Sequence, residues 1–259
     1  MSLLHFEYEV ALQFSEPVRE HAFLLRCLPP SFPGQEILDV QLSLDPCVPF
    51  SVQRDGFGNL LQLGRIGEAH GSFRYAVRGT AAVCTAERLP ARPLPVFRYP
   101  SPFTEADDAM KRFLCALSLP EDPEEKALAL ARAVHGHMHY LPGVTGISTR
   151  ASEAFSARRG VCQDFAHIYL SLARAASLPA RYVNGLVLGE GASHAWCEVL
   201  LGGVWTGVDP TRGCLCGDDY IRFNIGRDYR DCPMERGIFT GTAQQAQQVS
   251  MRVSAQNAQ

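Results

Sequence analysis

No apolar stretch in this chain is long enough to cross a bilayer, which takes about 20 consecutive apolar residues. The opening MSLLHFEYEVALQF lacks the basic start of a secretory signal, so neither a spanning segment nor a leader is expected. Excess positive charge is missing as well. A formal net charge of −3 and a pI near 6.2 leave no basic surface for nucleic acid. Nine cysteines are present, but they are odd in number and scattered, without the repeated spacing of a disulfide framework. A reduced, cytoplasmic protein is the simplest reading. No internal repeat occurs, which excludes an array architecture. Tryptophan is scarce, limited to Trp196 and Trp205.

What is present suits a globular protein in two parts. With 259 residues and 46% hydrophobic content, the chain can bury one large core or two modest ones. Residues 1–97 carry short alternating stretches, such as Glu36 to Leu42 and Ser72 to Val77, broken by proline and glycine turns. That pattern predicts a β-sandwich-like N-terminal domain. Proline is dense from Pro90 to Pro102, and residues 98–104 are assigned as a linker. From Glu105 the periodicity becomes helical. Phe113, Leu114 and Leu117 mark one segment, and Leu128, Ala131 and His135 another, with Glu124 and Glu125 suited to the latter's N-terminus. The fold class is therefore α+β. A core over 105–241 precedes a tail over 242–259, expected to form a strand at Val249 and then fray.

The strongest local signal is GVCQDFAHIYLSLARAA, residues 160–176. Phe165, Ile168, Tyr169, Leu172 and Ala176 share one helical face, Gly160 breaks the structure before them, and Ser177-Leu178-Pro179 ends it. Cys162 falls in or just before the first turn, among unpaired backbone N–H groups and the positive end of the helix dipole. That field favours a thiolate, and the same N–H groups can hold an oxyanion. A buried cysteine serving as a small hydrophobe is the bland alternative.

Two downstream residues bear on that choice. ARYVNGLVLGEG reads as a strand entering a glycine-rich turn, and His194 to Leu201 as a second strand. This strand sets His194, Trp196 and Glu198 on one face, and Ala195, Cys197, Val199 and Leu201 on the other. A Gly202-Gly203 turn leads into Val204 to Val208, which ends at Asp209-Pro210. Antiparallel pairing would bring His194 and Asp209 together at one end of the hairpin. An aspartate there is as readily a turn former, and a lone histidine is as readily structural. The case rests on all three residues.

GVCQDFAH, the Pro179 to Val183 stretch, HAW-E and W-x-G-x-DPT resemble the core of the transglutaminase-like superfamily. Within it, the chain is similar to the bacterial transglutaminase-like proteins regarded as candidate cysteine proteases. The likeness extends through Asp219-Tyr220-Ile221 and Gly226 to Asp231, and back to HYLPGVTGISTRASEAF. LRCLPPSFPGQEI and Asp55 to Asn59 resemble the β-rich N-terminal domain that accompanies this core. The resemblance implies a papain-like, transglutaminase-like core of helices and antiparallel sheet. In it Cys162 is the nucleophile, His194 the base and Asp209 the orienting carboxylate. Relatives carry a Gln or Trp upstream of the cysteine as an oxyanion donor. Here Ser156 stands six residues before Cys162 and no Trp lies upstream, so the N–H of Cys162 is the one donor assigned.

The expected chemistry is acyl transfer on peptide or protein amides through a thioester, with hydrolysis favoured. Transamidation and a non-catalytic binding module remain the alternatives. No cofactor, nucleic-acid partner or membrane association is expected. Metal binding is the rival chemistry, since His135, His137 and His139 alternate and Cys214 and Cys216 form a C-x-C. On a helix, however, 137 leaves the face of 135 and 139, and the C-x-C has no partner pair at zinc-ribbon spacing. Solvated positions at a helix end near Tyr140 are expected for these histidines. Asp164 is expected to tie down a neighbouring loop, and Trp196 to pack beside His194 with one edge open to substrate.

Overall fold

The computed structural model describes residues 1–87, 90–91 and 94–255. Alternation in the opening sequence has the consequence that a period of two predicts. In β1 (Ser2–Leu25), Leu4, Phe6, Tyr8, Val10, Leu12 and Phe14 turn inward, while His5, Glu7 and Gln13 face out. Four strands follow: β2 (Gln35–Asp45), β3 (Phe50–Arg54), β4 (Leu60–Ile66) and β5 (His70–Val83). Register shifts after Gln13 and after Arg19, with a positive φ of 53° at Glu20, bend β1. Its first half thereby pairs with β5 and its second with β4, giving the sandwich-like curl.

Helices come next: α1 (Asp108–Ala116), then α2 (Pro123–His137), whose first turn is capped by the Asp122 carboxylate. The short β6 (His139–Tyr140) pairs in parallel with β7 (Arg159–Gly160) across α3 (Ala151–Ala157). After α4 (Cys162–Ala175) come β8 (Ala180–Val187), β9 (Gly189–Gly191), β10 (His194–Leu201), β11 (Val204–Asp209), β12 (Cys214–Leu215) and β13 (Tyr220–Gly226). An antiparallel sheet runs in the order β12-β11-β10-β8-β13, and α4 packs on β8 and β10 beneath α2 and α3. The fold class is α+β, as expected.

Several details depart from the sequence reading. Sheet membership does not follow linear order, because β14 (Glu235–Thr240) and β15 (Gln245–Ala255) both pair with β1. The expected tail is thus a strand within the N-terminal sheet from residue 245, and its fraying end at 256–259 lies outside the described residues. The halves also share a core: Leu186, Ile221 and Phe223 join the N-terminal cluster, with Phe223 edge-on to Phe6 at 5.7 Å. The described end of the proline-rich stretch packs on the core. Phe97 is 2% exposed and meets Trp205 edge-on at 5.5 Å, and Ser101 and Thr104 are buried. In α2 the buried stripe is Ala127, Leu130, Ala131 and Val134, so His135 faces solvent and Leu128 is only partly covered. In α4 burial runs all round from Asp164 to Arg174, because sheet and helices enclose it.

Candidate active site

Cys162 is the first residue of α4, and three local features hold it there. Gly160 pairs with Tyr140 just upstream. The Asp164 carboxylate accepts the Val161 N–H at 2.8 Å and the Thr145 hydroxyl at 2.7 Å through one oxygen. The loop before the helix is thereby tied to its N-terminus, the role expected for Asp164. A Cβ at position 160 would collide with that carboxyl group, which explains the glycine. Burial raises the Asp164 pKa, against the lowering effect of the Thr145 hydrogen bond.

The hairpin supplies the partners. Gly202 and Gly203, both at positive φ, make the tight turn that a β-carbon would strain. Cys197 lies opposite Val208. One pair further, Asp209 falls opposite Trp196 and diagonal to His194, within reach of an imidazole. His194 Nε2 lies 2.8 Å from Asp209 Oδ2. Asp209 is fully buried, and its other oxygen accepts the N–H groups of Thr211 and Arg212 at 2.8 and 3.2 Å. Burial pushes its pKa up, but the His194 hydrogen bond and the further donors hold it below the ordinary value. A carboxylate only accepts, so Nε2 carries the proton.

Cys162 acts on the same imidazole and, with Asp209, favours its charged form. With Nε2 engaged by Asp209, Nδ1 is the nitrogen left for sulfur. Burial disfavours the imidazolium, yet the contacts with Asp209 and Cys162 outweigh it and lift His194 from 6.5 to about 9. One helix and two strands therefore place Cys162, His194 and Asp209 around this imidazole.

Tyr220 was missed as a member of this cluster. From β13 its hydroxyl donates to Asp209 Oδ2 at 2.9 Å and accepts from Arg212 Nη1 at 3.2 Å. Asp219-Tyr220-Ile221 carried only family likeness; nothing in its local pattern indicated a strand two places away from β10 in the sheet. Trp196 corrects an expectation: it is 2% exposed, edge-on to Tyr220 at 5.2 Å and stacked 6.2 Å from His194. It packs beside the imidazole, as expected, but its ring is buried and has no exposed edge.

The remaining histidines have other duties. His135 is exposed and bonds the Thr211 carbonyl, His137 stacks on Phe155, and His139 lies in β6. His167, buried in α4, accepts the Tyr229 N–H at 3.1 Å, and burial lowers it to about 3. Among the described residues, no group of three His, Cys, Asp or Glu could hold a metal ion.

The family model of the transglutaminase-like superfamily matches residues 116–210, and that of the bacterial transglutaminase-like N-terminal region matches 4–82. An uncharacterised Mycobacterium leprae protein is 38% identical over 130 residues, 46% of each chain, so this match spans under half of that relative. An uncharacterised Mycobacterium tuberculosis protein is 31% identical over 235 residues, 76% of this chain and 75% of that one. The crystal structure of a candidate cysteine protease from Cytophaga hutchinsonii superimposes with a TM-score of 0.81 at 23% identity. That alignment covers 100% of this chain and 92% of the other, and it establishes a shared fold. With these matches at both ends of the fold, the chain belongs to the transglutaminase-like superfamily and carries the bacterial N-terminal region ahead of the core.

Proposed function

We propose that this chain is a thiol-dependent acyl-transfer enzyme acting on peptide or protein amides, with Cys162 as nucleophile, His194 as acid and base, and Asp209 as orienter. The observation that carries the reading is one imidazole hydrogen-bonded to a buried carboxylate, with the thiol of a helix N-terminus acting on the same ring. With the thiol proton resting on His194, sulfur bonds to the amide carbonyl carbon. The oxyanion meets the N–H of Cys162, which as a first-turn group has no helical partner. The C–N bond then breaks, and the amine leaves with the proton from His194. Water attacks the thioester, releasing the acid and restoring the thiol. Cys162→Ala should abolish release of product from peptide amides while leaving the melting temperature within a few degrees of wild type. Labelling by an electrophilic glutamine-like probe, with the adduct located by mass spectrometry, tests the nucleophile. An adduct elsewhere would refute the assignment.

Transamidation is the second reading, and one observation favours it. A cavity of about 350 Å3 lined by Ser193, Asn184, Tyr229 and Glu235 lies beside the His194 end of β10. Burial without a counter-charge lifts Glu235 to about 7, and one of its oxygens has no hydrogen-bond partner. A cationic amine acceptor would relieve that cost. Incorporation of a labelled primary amine into protein acceptors, reduced in Glu235→Gln, would support it; hydrolysis alone over a broad acceptor panel would count against it. A cytoplasmic setting goes with either reading, because no disulfide joins the nine cysteines, all of them described. Thiol trapping in intact cells that recovered a disulfide would contradict that placement.

A further inference from the structure

Away from His194, a cavity of about 400 Å3 opens where the Phe32 and Phe57 loops, Pro90–Ala91 and Leu94–Phe97 meet the sheet face that carries Glu198. Its floor is charged. Glu198, 8% exposed, accepts from Arg181 Nε at 2.6 Å, and Arg222 Nη1 reaches both of its oxygens at 3.2 Å. A ring covers each guanidinium: Arg181 lies 4.1 Å from the Trp205 centroid and Arg222 3.3 Å from that of Phe32. Burial would raise the Glu198 pKa, but the two guanidinium groups hold it down at about 2. Burial lowers Arg181 only to about 10, so it stays charged at neutral pH.

One carboxylate therefore answers two guanidinium groups, and an excess positive charge sits in a largely desolvated place. Such a charge is costly without a counter-ion. Arg181 and Arg222 both line the cavity, and both have Glu198 as carboxylate partner. Above them the walls are apolar, formed by Phe57, Leu94, Phe97 and Ile225.

We propose that this cavity is a binding site for a small apolar carboxylate, either a free aromatic or branched acid or the C-terminus of a peptide ending in such a residue. Two guanidinium groups that share one carboxylate suit a second carboxylate, the apolar walls match its side chain, and the volume suits a ligand of that size. The site is separate from the thiol. None of Cys162, His194 and Asp209 lines it. Glu198 lies four residues along β10 from His194, about 13 Å at strand rise.

Titration of the full chain with 3-phenylpropionate and with the dipeptide Gly-Phe, against their amides, tests the proposal through heat and the fluorescence of Trp205 in the wall. Saturable one-site binding by a carboxylate is expected, weakened roughly tenfold or more for the amides and in Arg222→Gln. Leu94→Trp puts a ring into the cavity without touching the buried charges and should also remove binding, which keeps the test decisive if Arg222→Gln does not fold. Cys162→Ala should bind as wild type does. The site is refuted by an absence of saturation for both acids up to about 10 mM, the weak end of specific binding. Equal binding of the amides, unchanged binding in Leu94→Trp or loss in Cys162→Ala refutes it too. Binding of one acid and not the other identifies the source.

Discussion

Asp209 orders the site at the residue scale. It accepts from the imidazole, a tyrosine hydroxyl and two backbone N–H groups, so its charge is fully answered without water. His194, at about 9, holds its proton across the neutral range. In the proposed mechanism, activity should therefore fall as pH rises through about 9, when the acid for the leaving amine is lost. Asp209→Asn should shift that limb down toward 6.5, the ordinary histidine value; an unmoved limb in kcat/KM against pH would exclude the coupling. Stability follows the same proton. The folded imidazole binds it more tightly than the unfolded one, so this contribution is whole below about pH 6.5 and vanishes as pH climbs through about 9. At most it is worth about 3 kcal/mol. Melting of wild type and His194→Gln should accordingly converge across that window. Tyr220→Phe removes one donor and should cost about 1 kcal/mol of stability. Its kcat/KM should fall by less than that of Asp209→Asn, since the imidazole bond survives.

At the scale of elements, the start of α4 is the sensitive joint. Asp164, Thr145 and Gly160 lock the preceding loop to the first turn, where Cys162 sits. Gly160→Ala forces a carbon into the Asp164 carboxyl group. It should destabilise the chain by about 1–3 kcal/mol, the usual range for overpacking. Turnover should fall further than the lost stability explains, because the thiol is displaced from His194. Denaturant unfolding and steady-state rates on the same variant check this, and a fall in stability with an unchanged rate would separate the lock from the site. The helix itself was legible from its periodicity and stop signals. Its complete burial was not, since His167 and Arg174 are polar residues whose partners come from other elements. Arg174, for example, bonds the carbonyls of Ala180 and Arg227.

Across the whole molecule, the two sheets depend on each other. β9, three residues before His194, pairs with β15, and β15 lies along β1 from Phe14 to Leu4. Ending the chain at Gln244 should leave this face of β1 unpaired, release the segment that leads to His194 and abolish cooperative thermal unfolding together with probe labelling of Cys162. Retention of both would show that the N-terminal sheet is dispensable. Local sequence could not announce this arrangement, because Gln245 to Gln248 is polar and becomes a strand only where β1 offers a free edge.

Sequence alone carried the period-two face of β1, the helix that opens at Cys162, and the His194 and Asp209 strands with their Gly-Gly turn. These follow from backbone preference and side-chain alternation over a few neighbouring residues. Tertiary structure decided the rest: Tyr220 on Asp209, the burial of Trp196, the packing of Phe97 on Trp205 and the Arg181–Glu198–Arg222 cluster. Each depends on residues tens of positions apart, brought together by sheet order and shared core packing.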